Sequence, residues 1–414
     1  MRHHVHERIF WISCIAIAFF QPVFGRIVPL CIGIMVLNWL VDGRFVHNLL
    51  RVLSEPMRKY TLGFASLYLL YLIGLLYTTN FDYGWFDLEV KLSLLVFPLV
   101  FATSPWPLFS PQRLNFILWG FVTGCLAGAL IFLGHASVNE YSYRIPNSFY
   151  YMKLAWFFHP SYLSMYYNFA IAVLILKMLK GLNGHFVKSL FMVGLILFLA
   201  VMILLLSSKA GVFTLGAIIL LAALYSWKKM KSKLTGLLIV GSGVALFGIS
   251  YWLAPVAFSR ISAAGHAVSS QPSSARLQSE SNADRMAVWV TAIGILKENY
   301  LTGVGTGDVK DALLDGYKKN NMIPAFEHQF NAHNQYLQTF VTLGIGGFLL
   351  LVVLMVHPAL WAFRNGQVLY FAFLLIFGMN ILVESMLEVQ AGVVFYAFFN
   401  ILLFTAKRNG DTVS

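Results

Sequence analysis

The feature that most constrains this chain is a series of long apolar segments that recurs along its whole length. A helix that crosses a bilayer needs roughly 17–25 mostly apolar residues, because lipid offers no partner to a backbone polar group. About twelve segments fit, near residues 8–24, 26–41, 60–78, 88–104, 112–134, 160–178, 186–206, 209–227, 234–254, 334–356, 366–384 and 388–406. The sequence therefore predicts an all-α integral membrane protein with about 12 transmembrane helices.

Composition supports this class, since 59% of the residues are hydrophobic and only 11% are charged. A soluble fold could not cover so much apolar surface. The net charge of +12 is expected from basic cytoplasmic loops and does not indicate nucleic-acid binding. Cys14, Cys31 and Cys125 lie in apolar segments and form neither a disulfide framework nor a metal-ligand pattern. The first apolar segment resembles a signal peptide, but no small-residue cleavage site follows, so we expect an uncleaved span.

The charges between the segments predict which side of the membrane each connection faces. Cytoplasmic loops are enriched in Lys and Arg. With a cytoplasmic N-terminus, alternate connections collect 17 of the 29 Lys and Arg residues but only four of the 17 Asp and Glu residues. The opposite side holds the other 12 bases and 13 acids. We therefore predict a multi-pass protein of a bacterial inner membrane, with both termini in the cytoplasm and the opposite side in the periplasm.

One external connection, residues 255–333, is far longer than the others. It begins with a serine-rich stretch that has no periodicity, which predicts a loop. Residues 282–299 and then DVKDALLDGYKKN predict two helices. The expected apolar face of the first helix consists of Met286, Trp289, Val290, Ile293 and Leu296. We thus predict three regions: spans 1–9 in residues 1–254, a mostly helical periplasmic cap in 255–333, and spans 10–12 with a cytoplasmic tail in 334–414.

A histidine stands where this cap returns to the membrane, in FNAHNQYLQTF at residues 330–340. His333 and Asn334 directly precede an apolar segment. The positive end of a helix dipole disfavours an imidazolium, and a neutral imidazole can accept a proton as a general base. A neutral interfacial histidine without a catalytic role is the alternative, and these residues alone leave both open. His328 lacks the Asn-x-Tyr-Leu that follows His333.

Three other external side chains are candidates for contact with a polar or anionic substrate. Lys209, in SSKAG between the seventh and eighth segments, is either an interfacial lysine or a phosphate ligand. Arg285 opens the first cap helix and either pairs with an acid such as Asp284 or binds phosphate through its planar guanidinium. His159 precedes Pro160 at the start of the sixth segment and is either a ligand contact or an interfacial ring.

Two short motifs suggest other chemistry but lack its context. GVGTG, at residues 303–307, has no preceding strand and no following lysine, so a tight turn is favoured over a phosphate-binding loop. Asp87 and Glu89 could form half of a metal site. One such pair is weak support, and an acidic entry to the fourth segment is favoured. We predict no metal.

Four motifs then follow one another in a fixed order. They are Arg285 with Trp289, the GVGTG sequence, His333-Asn334-Gln335-Tyr336-Leu337, and Gly344-Ile345-Gly346-Gly347. This order resembles the superfamily of O-antigen ligases and O-antigen polymerases. The resemblance is specific over roughly residues 280–350 and extends more loosely, through span number and SSKAG, over the whole chain. The family commonly carries an arginine where this chain has Lys209.

The resemblance implies a glycosyltransferase that uses neither a metal nor a cofactor. Its donor would be a glycan on undecaprenyl diphosphate, and its acceptor a sugar hydroxyl of lipid A–core in a ligase or of another lipid-linked glycan in a polymerase. Related proteins glycosylate protein serine or polymerise exopolysaccharide; the ligase is favoured here. The implied base is His333, and the implied partners of the diphosphate are Arg285 and Lys209. Further candidates for substrate contact are Asn334, Tyr336, His159, Arg260 and Arg276.

Two other classes remain open from the sequence. A transporter or flippase predicts inverted repeats, broken helices and charges near the bilayer midplane, none of which is clear here. A metal-dependent lipid-linked glycosyltransferase predicts loss of activity in a chelator.

Overall fold

The computed structural model describes residues 2–45, 47–48, 52, 56–104, 111–181, 186–229 and 282–406. These residues form helices and no strands. The α-helices of the first half are α1 (Arg2–Phe20), α2 (Val28–Asp42), α3 (Pro56–Gly63), α4 (Ser66–Gly74), α5 (Phe81–Lys91), α6 (Ser93–Thr103), α7 (Pro111–Ser137), α8 (Tyr151–Ala155) and α9 (Pro160–Gly181). Those of the second half are α10 (Phe186–Leu205), α11 (Lys209–Lys229), α12 (Asn282–Asn299), α13 (Val309–Lys319), α14 (Ile323–Glu327), α15 (Gln335–Arg364), α16 (Val368–Ile381) and α17 (Gln390–Ala406).

Among the described residues, seven helical segments are long and apolar enough to cross a membrane. They coincide with the second, third, fifth, sixth, seventh, eighth and tenth predicted spans. The shorter apolar helices α6, α16 and α17 fall on the fourth, eleventh and twelfth, and α1 covers most of the first. The all-helical membrane class is therefore confirmed. The count of twelve spans and the side of the membrane that each end faces stay predictions.

Helix α9 lies at the centre of the bundle. In the most apolar stretch of α9, 83% of the residues are buried. The corresponding share is 28% for the stretches that contain α2 and α10, which lie at the periphery. The Phe169 ring of α9 lies 5.0–5.4 Å, between ring centroids, from Phe121 of α7, Phe373 of α16 and Phe399 of α17. Because lipid is as apolar as these rings, close packing rather than removal from water holds the helices together. This aromatic core fixes where the ends of α9, α16 and α17 meet.

Helix α12 begins and ends where the sequence predicts, but its predicted apolar face is only partly confirmed, since Leu296 is buried and Trp289 packs against the buried cluster. Met286, Val290 and Ile293 are exposed, whereas the buried residues are Val288, Ala292 and Leu296. The reason is that α12 is apolar on nearly every side, so periodicity does not select a face. Packing against α13 and α15 makes the selection. Arg285 precedes Val288 by three positions and therefore faces the same way as the buried residues.

The GVGTG sequence forms the predicted turn, and this turn packs closely against a kink in α15. The kink lies at Gly344 (φ 65°), where the backbone leaves the helical conformation. Gly303 (φ 71°) packs directly against it. The Val304 N–H donates to the Val341 carbonyl (2.9 Å), and a Cβ on Gly344 would collide with the Leu301 carbonyl. Only glycine fits this conformation and this close an approach. The turn thereby attaches the cap to α15, the helix that follows His333.

Several predictions fall on residues 230–281, outside the part of the chain that the structure describes. They concern Arg260, Arg276, the ninth span at 234–254 and the serine-rich stretch. The boundary predicted at residue 254 also lies there. These stay predictions, as does the domain boundary at residue 333.

Candidate functional site

The start of α15 holds the connection between α16 and α17, residues 382–389, which we call the acidic turn. Three successive residues contact it: His333, Asn334 and Gln335. The acidic turn carries two carboxylates, Glu384 and Glu388, one helical turn apart in sequence. The predicted eleventh span ran to residue 384, but α16 ends at Ile381. Glu384 therefore lies outside the helix, where it can meet the returning cap.

His333 and Glu384 form a buried pair. Nδ1 of His333 lies 3.0 Å from Oε1 of Glu384, and both side chains are 8% exposed. Burial raises the pKa of Glu384, but the hydrogen bond from His333 and electrostatic interactions with His333, His159 and Arg285 outweigh it and lower this pKa to about 2. Glu384 is therefore ionised at neutral pH and can only accept, so the shared proton lies on Nδ1 of His333. The neutral ring then has its lone pair on Nε2, the nitrogen that can take up a proton.

The backbone at His333 is held in an uncommon conformation. Its φ is 44°, in the left-handed region that residues with a Cβ rarely adopt. Its N–H donates to Oδ1 of Asn331 (2.9 Å), which helps to keep this conformation. Such strain persists where surrounding contacts determine the geometry, and it concentrates at functional sites. Here the backbone conformation accompanies a ring that faces Glu384.

Arg285 reaches the same turn from the cap. Its Nη2 lies 3.5 Å from Oε2 of Glu384, and its Nη1 donates to the Val383 carbonyl (3.0 Å). The side chain is 24% exposed, so an anionic group can still approach it. The structure thus brings Arg285 and His333, 48 positions apart, to opposite oxygens of one carboxylate. The pairing of Arg285 with Asp284 that the sequence also allows stays a prediction, because the side chain of Asp284 lies outside the described part of the chain.

Asn334 and Gln335 fix the acidic turn to the start of α15. Oδ1 of Asn334 accepts the Leu337 N–H (3.1 Å) and caps the helix, while its Nδ2 donates to the Leu382 carbonyl (2.9 Å). Gln335 donates to Glu388 (2.9 Å) and accepts the Leu387 N–H (2.6 Å). Helix capping and turn attachment explain why an Asn-Gln pair follows His333. The contact predicted between Asn334 and substrate stays a prediction.

The far end of the acidic turn is held by a buried lysine. Nζ of Lys91, in α5, lies 2.5 Å from Asp87 and 3.0 Å from Glu388, and 4.7 Å from the centroid of the Tyr71 ring. Lys91 is completely buried. Asp87 is buried in this cluster whereas Glu89 is exposed, because positions i and i+2 of a helix point in different directions. The two acids therefore do not form a joint metal site, and no cluster of metal-binding side chains occurs within the described ranges.

The remaining candidates lie around this centre. His159 is half-buried directly before α9, its Nδ1 accepts the Ser161 N–H (3.3 Å), and its ring interacts electrostatically with Glu384. Lys209 is the first residue of α11, a helix that packs on both α9 and α16. Tyr336 is half-buried, with its ring 6.2 Å from that of Phe348 within the helical core. The roles predicted for these three residues stay predictions.

Sequence reasoning missed Glu384 altogether. The available signal was the charge of the last external connection, which carries acids but no base. An external turn with two acids at the mouth of the bundle needs cations from elsewhere in the chain. Those cations are Arg285 and Lys91, but nothing in the sequence says that α5 and α12 meet this turn.

A buried histidine–carboxylate pair thus lies beside an arginine at one end of a helical membrane bundle, so the fold is that of a polytopic membrane protein with a candidate acid–base site at the ends of its helices. Residues 193–352, less than half of the chain, match the family model described as O-antigen ligase. This match confirms the resemblance to the O-antigen ligase superfamily that the motifs predict. It supports a glycan transferase of the ligase or polymerase type that acts on lipid-linked glycans in a membrane. No curated protein matches the chain.

Proposed function

We propose that this protein is an O-antigen ligase-like glycosyltransferase of the bacterial inner membrane. It moves a glycan from undecaprenyl diphosphate to a sugar hydroxyl of lipid A–core at the periplasmic face. The observation that carries this proposal is the buried pair of His333 and Glu384, with Arg285 on the second carboxylate oxygen. Such a pair supplies an oriented base next to a cation, as transfer from a diphosphate donor requires.

In the proposed reaction, the acceptor hydroxyl attacks the anomeric carbon of the donor while Nε2 of His333 takes up the hydroxyl proton. The new glycosidic C–O bond forms as the bond to the diphosphate oxygen breaks, and the electron pair leaves with the diphosphate. Glu384 keeps the His333 proton on Nδ1 and stabilises the imidazolium that develops, as an orienting carboxylate does in other acid–base sites. Attack from the face opposite the diphosphate inverts the anomeric centre.

The diphosphate is already a good leaving group, so the protein has only to stabilise its charge. We assign this role to Arg285 and Lys209, since guanidinium and ammonium groups bind phosphate oxygens strongly. The proposal needs no metal and no cofactor. Because the donor tail is a polyprenyl chain, the base has to lie at the membrane surface, where α15 begins.

The test is glycan transfer by purified protein from an undecaprenyl-diphosphate donor to lipid A–core, in the presence of a chelator. General-base assistance is worth about 10²–10⁴ in rate, so His333→Ala should lose roughly this factor while donor binding is retained. Glu384→Gln should lose activity in the same range, because an amide can present its N–H to Nδ1 and so favour the wrong tautomer. The matched control is His328→Ala, since His328 is exposed and lies in the cap five residues away.

Wild-type turnover by His333→Ala would remove the base from this mechanism. Loss of donor affinity alone would instead make His333 a diphosphate ligand. The acceptor is tested separately in a deletion strain, where free lipid-linked polymer accumulates if a ligase is missing and single repeat units accumulate if a polymerase is missing.

A further inference from the structure

A cavity of about 290 Å³ opens beside the acidic turn, at the ends of the helices that meet there. Its wall comes from the α1–α2 connection, the start of α9 and the start of α17, and it is lined by Gln21, Gly25, Arg26, Val28, Phe157, Phe158, His159, Tyr162, Val389, Gln390, Ala391 and Val394. Val389 is the last residue of the acidic turn, and the His159 ring interacts electrostatically with Glu384. The cavity therefore adjoins the site without containing His333 or Arg285.

The cavity offers both hydrogen-bond donors and a hydrogen-bond acceptor. Arg26 is exposed, and within the described ranges no carboxylate pairs with it. Gln21 is 2% exposed; its Nε2 donates to the Ala391 carbonyl (3.1 Å), while its Oε1 has no hydrogen-bond partner among the described residues. Nδ1 of His159 accepts the Ser161 N–H, so the neutral ring donates from Nε2. A buried acceptor without a donor is unfavourable, which calls for a ligand or a water that can donate.

The rest of the wall is apolar and aromatic. Phe157 and Phe158 line one side of the cavity, with Val28 and Val394 nearby. A purely phosphate-bearing ligand would satisfy Arg26 but could not donate to Gln21. A saccharide meets both requirements, because its hydroxyls donate and accept while its C–H face packs on aromatic rings. The volume is at the lower limit of small-molecule pockets, which suits one saccharide unit.

We propose that this cavity binds an acidic saccharide unit of the acceptor glycan, with Arg26 on its phosphate or carboxylate group and Gln21 and His159 on its hydroxyls. The proposal rests on the proposed glycan transfer. The cations assigned to the donor diphosphate are Arg285 and Lys209, neither of which lines this cavity. A separate anion site next to the same His333–Glu384 pair therefore belongs to the second substrate. It would bring an acceptor hydroxyl to His333 from the side of α9.

The first test measures binding by the purified full-length protein in nanodiscs, without donor. The probes are a 6-phosphorylated hexose, a hexuronic acid, the unsubstituted hexose and glycerol phosphate. We expect both acidic sugars to bind more tightly than the other two, and Arg26→Met to weaken acidic-sugar binding about tenfold, the loss expected for one charge-assisted hydrogen bond. Arg26→Lys should recover part of the affinity. The control is Lys153→Met, because Lys153 is an exposed cation whose ammonium donates to the Pro146 carbonyl and does not line the cavity.

Equal binding of glycerol phosphate would identify a lipid-headgroup site. Wild-type affinity in Arg26→Met would show that Arg26 is only an interfacial side chain. Either result would overturn the proposal.

The second test is the transfer assay. Arg26→Met should raise the acceptor KM about tenfold with kcat and donor KM unchanged, whereas a raised donor KM would contradict the assignment to the acceptor. His333→Ala should lose transfer but still bind the acidic sugars. The transfer assay therefore tests the proposed function, and the binding assay tests the sugar site independently.

Discussion

Glu384 is the residue on which the candidate site depends, because it accepts from His333 with one oxygen and meets Arg285 with the other. Its two partners come from the cap, and it lies on a turn between membrane helices. Replacing it would therefore remove the orientation of the base and one anchor of the cap together. Its lowered pKa is the measurable sign of these contacts.

Acid should weaken the wild-type protein more than Glu384→Gln. The pKa of Glu384 is lowered from 4.5 in the unfolded chain to about 2 in the folded protein. The stability that its ionised form contributes is fully present above pH 4.5 and is lost as the pH falls towards 2. Apparent Tm measured in detergent over this window should therefore decline more steeply for the wild type. Parallel curves for the two proteins would show that Glu384 is not ionised within these contacts.

The acidic turn is the structural element that joins the cap to the membrane helices. One end is held by His333 and Asn334, and the other by Gln335 and Lys91. Lys91 is buried with two carboxylates, so its charge is compensated only as long as this turn stays in place.

Lys91→Met should destabilise the protein strongly, because it leaves Asp87 and Glu388 buried without a counter-ion. Removing one partner of a buried ion pair costs about 3–5 kcal/mol. A variant that also carries Asp87→Asn and Glu388→Gln has no buried charge left in this cluster and should recover much of the lost Tm. If Lys91→Met alone unfolds at the wild-type temperature, the cluster is not the anchor of the turn.

The kink of α15 provides a pair of glycines, Gly344 and Gly346, that differ in backbone conformation and in surroundings. Gly344 has a positive φ and a Cβ there would strike the Leu301 carbonyl, whereas nothing lies within 4 Å of a Cβ on Gly346. Gly344→Ala should lower the free energy of unfolding by about 1–3 kcal/mol. Gly346→Ala should be neutral or stabilising by up to about 1 kcal/mol, since alanine favours a helix. Equal unfolding temperatures of the two variants would show that the packing of the GVGTG turn against the α15 kink does not stabilise the protein.

At the scale of the whole molecule, the sequence predicted the elements better than their mutual placement. Apolar length located most membrane helices, and α12 occurs at the predicted residues. The face of α12 and the partner of Arg285 were not predictable, because both depend on which helices meet. His333 could be found from its motif. Glu384 could not, since its function arises only when residues 333 and 384 come together in space.

Membrane topology is testable with labels at described positions. Asp315 is exposed on cap helix α13, and Asn365 is exposed at the other end of α15. Asp315→Cys should react with a membrane-impermeant maleimide added to spheroplasts, whereas Asn365→Cys should react only after permeabilisation. The three native cysteines are buried, which keeps the background low. External labelling of both positions would contradict a single crossing by α15.

The acidic turn also determines when during synthesis the site can form. Gln21, directly after the first helix, donates to the Ala391 carbonyl, and Lys91, Arg285 and His333 all precede the turn that they contact. A ribosome makes every one of these partners before it makes Glu384. Until α16 and α17 are inserted, Lys91 and Asp87 lack the Glu388 carboxylate, and His333 lacks that of Glu384. If the proposed mechanism holds, the oriented base is therefore complete only when the last helical hairpin has been inserted.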